Sequence, residues 1–284
     1  MAGQFRFSFG PWNIHEGADP FGPAVRPAMD FAAKLKTYKK LGFDAVQFHD
    51  DDAVPGLDKL TTGQIVAKAK EVRSMLDGEG LAAEFVAPRL WEAPGTVDGA
   101  YTSNDPACRR YAIEPKPNEP MDQAYIPTTG HAIALGHLTR DASRVGVNIE
   151  SAHAILAGLD PSDEMGFALA HDKLFSVHLN DQNGLKFDED RSFGAIDLRR
   201  AFNQVRVLDR HDYGKRGEWV GLDVKAMRTQ KADVATKHLS NSRTMFLRLL
   251  EVSRSLDEAR VQALVAERDY EELDLLIMQT LTGK

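Results

Sequence analysis

The sequence predicts an α/β protein assembled from parallel β-α-β units, and three observations predict it. Short apolar runs alternate with helix-length amphipathic segments along most of the chain. The clearest helical segments end at glycine, the usual helix stop. Ionisable residues recur at the carboxyl ends of the apolar runs, where a parallel sheet gathers them on one face. With 284 residues the chain has room for a single closed barrel, about 250 residues in its common form, or for an open doubly wound sheet.

Taken in order, the first strand candidate is "RFSFG" (6–10), followed by the amphipathic segment "AMDFAAKLKTYKKLG" (28–42). "DAVQFH" (44–49) is the second, and "TGQIVAKAKEVRSMLDGEG" (62–80) the helix after it. Both helical segments carry apolar residues at three-to-four spacing. The remaining strand candidates are "AAEFVAP" (82–88), "YAIEPK" (111–116), "VGVNIE" (145–150), "LFSVHLN" (174–180) and "EWVGLDV" (218–224). The last third, from "VATKHLSNSR" onward, is nearly all helix and is expected to close the fold and run on as a tail. The expected division is 1–240 for the α/β unit and 241–284 for the helical tail, with no linker between domains. No glycine-rich phosphate loop follows the first strand, which argues against dinucleotide binding.

Composition narrows the classes. A content of 43% hydrophobic and 27% charged residues is that of an ordinary globular protein. The net charge of −7 and the lack of a basic patch argue against nucleic acid as a partner. The one cysteine, Cys108, leaves no intramolecular disulfide and fits a reducing compartment. "MAGQFRFSFG" has no basic segment followed by an apolar one, so no signal peptide is expected. No apolar run reaches the ~20 residues that span a bilayer. The expected location is cytoplasmic, with no membrane partner.

Five of the seven strand candidates end in an ionisable residue: His49, Glu114, Glu150, His178 and Asp223. Asp188 and Asp190 form a D-x-D past the sixth candidate, and His153 follows Glu150 by three residues. Gathering so many carboxylates is costly unless cations or hydrogen bonds compensate them. An oxygen-rich set of this kind suits Mg²⁺, Mn²⁺ or Co²⁺ rather than a cysteine-based zinc site. One carboxylate shared between two ions makes a binuclear centre, and Glu150 is the natural candidate. Each segment alone also has a plainer reading. "FHDDDAVP" reads as a solvated acidic turn, "FDEDRSFG" as a surface loop, and a histidine at a strand end as a hydrogen-bonded structural residue. Convergence on one face favours the metal reading.

At these residues the sequence resembles xylose isomerase, the metal-dependent aldose–ketose isomerase with a TIM-barrel fold. "WNIHEGADPFG" resembles the family's first-strand loop, "FHDDDAVP" its catalytic-histidine motif, and "IEPKPNEP" its most distinctive signature. "VNIESAH" resembles the E-x-x-H metal motif, "LNDQNGLKFDEDRSFG" the metal loop and "GLDVKAMRT" the last metal strand. The matches run in order from about residue 5 to about 240. The resemblance implies conversion of xylose to xylulose by ring opening and a metal-assisted hydride shift. His49, backed by Asp52, would open the cyclic sugar. One ion would be held by Glu114, Glu150 and Asp223, and a second by Glu150, His153, Asp188 and Asp190. Lys116 would donate to the carbonyl oxygen, while Trp12 and Trp91 would wall the pocket. Phe21 resembles the aromatic residue that the family inserts into a neighbouring subunit's site, which implies a homo-oligomer, a dimer or tetramer.

The sequence departs from the family at two places. The family commonly carries an aspartate where His178 stands. As a ligand of the first ion, an imidazole there removes a negative charge and favours Mn²⁺ or Co²⁺ over Mg²⁺; otherwise His178 is a hydrogen-bonded neighbour of a three-carboxylate site. The second departure is a deletion. "SNDPACRRYAI" resembles the start of a long helix, yet the chain passes directly into "EPKPNEP", and both segments share "AI". The loss relative to the family is on the order of sixty residues, more than one βα unit of about 30. A helix from Asn104 to Arg110 would rise only about 10 Å, too little to return the chain along a strand of about 17–20 Å. The expected fold is therefore a TIM-barrel-like parallel (β/α) barrel, incomplete, with seven strands or fewer per chain. Exposed edges would draw in a second copy, by exchange of a segment between protomers. Two rival readings remain: an inactive relic that folds, oligomerises and binds metal or sugar, and a metal-dependent sugar epimerase.

Overall fold

The computed structural model describes residues 5–18, 22–88, 111–119 and 122–283. Among the described residues, seven strands form one sheet: β1 (Phe7–Phe9), β2 (Ala45–His49), β3 (Ala82–Ala87), β4 (Tyr111–Ile113), β5 (Val145–Glu150), β6 (Leu174–Leu179) and β7 (Val220–Leu222). Every pairing is parallel, and the spatial order is β3-β2-β1-β7-β6-β5-β4. Pairing of β1 with β7 joins the first and last strands, with Phe7 opposite Val220 and Phe9 opposite Leu222. The order ends at β3 and β4, and among the described residues no pairing joins them. This is an incomplete TIM-barrel-like fold.

All seven strand candidates become strands, most of them shorter at their carboxyl ends than the sequence suggests. Glu114 to Lys116, read as part of a strand, lie just beyond β4, and Asp223 lies just beyond β7. Proline at 115 and 117 explains the first case, since it offers no ladder donor. The helix Asn104–Arg110, Trp91 and Phe21 lie outside the described residues. The expected splice at Ala112 and Ile113 falls within β4, which pairs with Val145–Val147 of β5.

The helices are α1 (Phe31–Leu41), α2 (Asp50–Ala53), α3 (Thr62–Glu79), α4 (Thr129–His137), α5 (Ser151–Leu156), α6 (Pro161–Ala170), α7 (Leu198–Arg210), α8 (Lys237–Ser255), α9 (Glu258–Glu267) and α10 (Tyr270–Thr282). The Asp30 side chain caps α1 by accepting from Ala33 N, and Gly42 ends it in the left-handed region at φ 78. Thr61 and Gln64 form a capping box at the start of α3, which stops at Gly80. No helix among the described residues is long and apolar enough to cross a membrane.

Strand periodicity divides the side chains. Phe7, Phe9, Val46, Phe48, Val147, Ile149, Val177, Leu179, Val220 and Leu222 are buried in the core. Tyr38 of α1 stacks on Phe9 at 3.7 Å, and its hydroxyl donates to Phe9 O. Phe246 of α8 packs edge-on against Phe5 and Phe7 at 5.0 and 5.4 Å, so α8 belongs to the barrel core and not to a separate layer. The alternate positions, Ser8, Gln47, Glu84, Asn148, Glu150, Ser176 and His178, are polar and hydrogen-bond or ion-pair across the barrel interior. That polar interior leads upward into the candidate site.

Candidate metal centre

Glu150 ends β5 and is followed at once by α5, so Glu150 and His153 share one helical turn at the carboxyl end of the sheet. His153 Nε2 lies 3.3 Å from Glu150 Oε1 and 2.9 Å from Asp188 Oδ2. His178 Nδ1 lies 3.0 Å from Glu114 Oε2 and 3.6 Å from Glu150 Oε2. Among the described residues, four groups bring ligand atoms within 4.8 Å of one another: Glu114, Glu150 and His153; Glu150, His178 and Asp223; Glu150, Asp188 and Asp190; and, apart from these, His49, Asp51 and Asp52. Glu150 belongs to the first three.

The seven metal candidates are thus one cluster. His49 stands beside it at the end of β2, with Trp12 stacked on its ring at 4.2 Å. His49 Nδ1 lies 3.3 Å from Asp52 Oδ2, which also accepts from His49 N. Trp12 Nε1 donates to Asp223 Oδ1 at 2.9 Å, tying the histidine side of the site to the cluster. Lys116 Nζ lies 2.7 Å from Asp188 and 3.2 Å from Glu119.

Several residues that the motifs did not single out complete the geometry. Asn180 Nδ2 donates to Glu150 Oε1 at 2.9 Å and to Asp190 Oδ1 at 3.0 Å, while its Oδ1 accepts from Ala152 N. Asn148 donates to Glu114, Asn13 to Asp223, and the Lys225 ammonium pairs with Asp190. Asn148 and Asn180 each lie two residues from a candidate, Glu150 and His178, on the same strand face. That period-2 spacing is the signal that points to them. Asn13 and Lys225 carry no comparable signal. Asp190 and Glu119 hold left-handed backbone, φ 46 and 65, a rare conformation for residues other than glycine and one that gathers at functional sites.

Burial opposes charge throughout the cluster, and the partners decide the outcome. Glu150, only 2% exposed, is pushed up to about 7 by burial against the pull of His153. Burial would lower His153, but Glu150 and Asp188 raise it to about 9. His178 also rises well above the ordinary imidazole range, because the facing Glu114 outweighs burial. Asp190 is raised by burial and by neighbouring Asp223. Asp188 moves the other way: burial is overcome by His153 and Lys116. Lys116 and Lys225 are raised by Asp188 and Asp190 despite burial.

Divalent cations fit this donor set. Its ligands are mostly carboxylate oxygens with two imidazoles, suited to Mg²⁺, Mn²⁺ or Co²⁺. Buried His153 Nδ1 and Asp188 Oδ1 have no hydrogen-bond partner among the described residues, as ligand atoms would not.

No family model matches the sequence. A solved xylose isomerase domain protein from Alicyclobacillus acidocaldarius subsp. acidocaldarius superposes with a TM-score of 0.55, over 88% of this chain and 100% of its own, at 12% identity. That likeness establishes the fold. Mannonate dehydratase from Streptococcus suis serotype 2 is a more distant match, with a TM-score of 0.38 at 11% identity, over 78% of this chain and 69% of its own. At that score the superposition carries no argument.

One buried histidine supports the site from outside. His238 of α8 is 5% exposed, and its Nε2 donates to Asn13 O at 3.0 Å. Burial lowers its pKa to about 4. The folded state therefore resists a proton that the unfolded chain accepts near 6.5. Its contribution is complete above that pH and is lost as pH falls toward 4, by about 3 kcal/mol. In urea unfolding at pH 7 and pH 4.5, the wild type should lose about 2–3 kcal/mol more than His238→Gln. Equal losses would remove His238 as the cause.

Proposed function

We propose that this protein is a divalent-metal-dependent aldose–ketose isomerase acting on a small aldose such as xylose. The observation that carries the reading is the placement of Glu150 in three of the four candidate ligand groups, with His49, Asp52 and Lys116 around the same cluster. The name of the barrel with the same fold, a xylose isomerase domain protein, supports it.

Glu114, Glu150, His178 and Asp223 would hold one ion, and Glu150, His153, Asp188 and Asp190 the other. Bound ions supply Lewis-acid polarisation of the sugar's hydroxyl and carbonyl oxygens. The side chains account for the rest. Asp52 aims the His49 ring, and His49 moves the proton that opens the cyclic sugar. Trp12, stacked on His49, presents an apolar wall that excludes water. Lys116 donates to the carbonyl oxygen at C1, where charge develops as hydride moves from C2. The proton leaving the C2 hydroxyl ends on the C1 oxygen, so the change balances without an external oxidant.

The test is conversion of xylose to xylulose by EDTA-stripped protein resupplied with Mg²⁺, Mn²⁺ or Co²⁺. Turnover that returns with an ion, strongest with Mn²⁺ or Co²⁺ given His178, supports the reading. A folded protein that binds ions and turns over no aldose would favour the relic instead, a reading supported by the unpaired outer edges of β3 and β4 among the described residues.

Those edges also support association with a second copy, including exchange of a segment. Sedimentation at micromolar concentration is expected to give a dimer or tetramer. A monomer would sink this part of the proposal and leave the chemistry standing.

A further inference from the structure

The segment between β1 and α1 and the segment between β7 and α8 each send an arginine into the other. Arg26 belongs to the first and is 7% exposed. Its Nη1 donates to the carbonyls of Met227, Arg228 and Gln230 at 3.2, 3.1 and 2.9 Å. Its Nε donates to His15 O at 3.3 Å. Arg228 of the second segment reaches back. Its Nη1 donates to Gly17 O and to Pro23 O, both at 2.9 Å.

Two glycines leave the room that these guanidinium groups need. A Cβ on Gly17 would lie 2.8 Å from Arg26 Nη2, and one on Gly22 closer still to Arg228 Nη2. The same two segments carry groups of the candidate site. Trp12 Nε1 and Asn13 Nδ2, from the first, both donate to Asp223 Oδ1 of the second, at 2.9 and 2.7 Å. Asp223 in turn brings a ligand atom to Glu150 and His178. Outside helices and strands, a segment keeps its place through tethers of this kind, and bonds from a charged donor are the stronger sort.

We propose that Arg26 and Arg228 form a reciprocal clamp, two positioning residues that hold Trp12 and Asn13 on the Asp223 carboxylate and so set Asp223 for the ion it shares with Glu150 and His178. The inference rests on the metal reading above. A guanidinium suits both places, because it stays charged and its rigid fork spans several carbonyls at once. Groups that hydrogen-bond a ligating carboxylate orient it, and losing one typically costs ten- to hundredfold in ion affinity. The clamp stands one step further out, behind Trp12 and Asn13, so its loss belongs at the lower end of that range.

The test has two readouts on the full-length protein: hydrogen exchange at the Trp12 indole N–H, by NMR, and Co²⁺ binding after EDTA stripping, by calorimetry and visible absorption. Trp12→Phe assigns the indole resonance, and Asp223→Ala assigns the ion. Arg26→Gln is expected to speed indole exchange about tenfold or more. It should weaken the ion at Asp223 about tenfold and leave the ion at His153 unchanged. Arg228→Gln should shift both readouts the same way, and Arg228→Lys, which keeps a charged donor, should recover part of the loss. Arg228 is less buried than Arg26, so Arg228→Gln serves if Arg26→Gln does not fold. Wild-type exchange in a folded variant, or faster exchange with wild-type affinity at Asp223, would overturn the proposal alone. A wild type that binds no Co²⁺ would overturn the metal reading, and the role of the clamp at the ion with it.

Discussion

Replacing Glu150 with alanine is expected to abolish divalent-ion binding at both positions and, with it, any metal-dependent turnover. Glu150 is the one residue common to three of the four candidate ligand groups. It is also buried, between His153 and His178. His153 keeps Asp188 and His178 keeps Glu114 as carboxylate neighbours in the variant, and circular dichroism establishes its fold before the titration. Calorimetric titration with Mn²⁺ on stripped protein measures the result. Asp223→Ala is the control: it touches one group only and should leave one ion bound. Retention of two ions per chain in Glu150→Ala would contradict the shared role, however the activity behaved.

Phe246→Ala should cost about 3–5 kcal/mol of folding stability, the usual range for deleting a buried phenylalanine. Phe246 is fully buried where α8 meets the barrel, with the rings of Phe5, Phe7 and Phe193 at 5.0, 5.4 and 6.3 Å. A domain of ordinary stability has roughly 5–15 kcal/mol in total, so the variant should be near its limit. Urea unfolding followed by circular dichroism gives the number. A loss below about 1 kcal/mol would mean that α8 is not integral to the core. The contact also bears on the boundary drawn from sequence at 240, which falls inside α8.

Much of the site was legible before any coordinates. His49, Glu150 and His178 follow apolar runs, and in a parallel sheet the ends of such runs share a face. Gln47 and Asn148, each two residues from a candidate on the same strand, and Asn180, just past β6 and two residues from His178, were equally within reach. They were passed over because amides carry no motif of their own. Asn13 and Lys225 were not legible. Asn13 meets Asp223 from 210 positions away, and only the pairing of β1 with β7 brings them together.

The sequence by itself determined the local alternation: which strand residues face the helices and which face the interior, where α1 and α3 start and stop, and which elements end in ionisable side chains. Those features depend on periodicities of two and 3.6 residues and on capping chemistry, all local. The tertiary structure alone decided that Glu150 meets His178 and Asp223 as well as His153, that Trp12 ties His49 to Asp223, and that Lys116 reaches Asp188. Each of those is a distance between strands far apart in the chain. Such distances depend on how a twisted sheet curls and registers, and no local pattern encodes that.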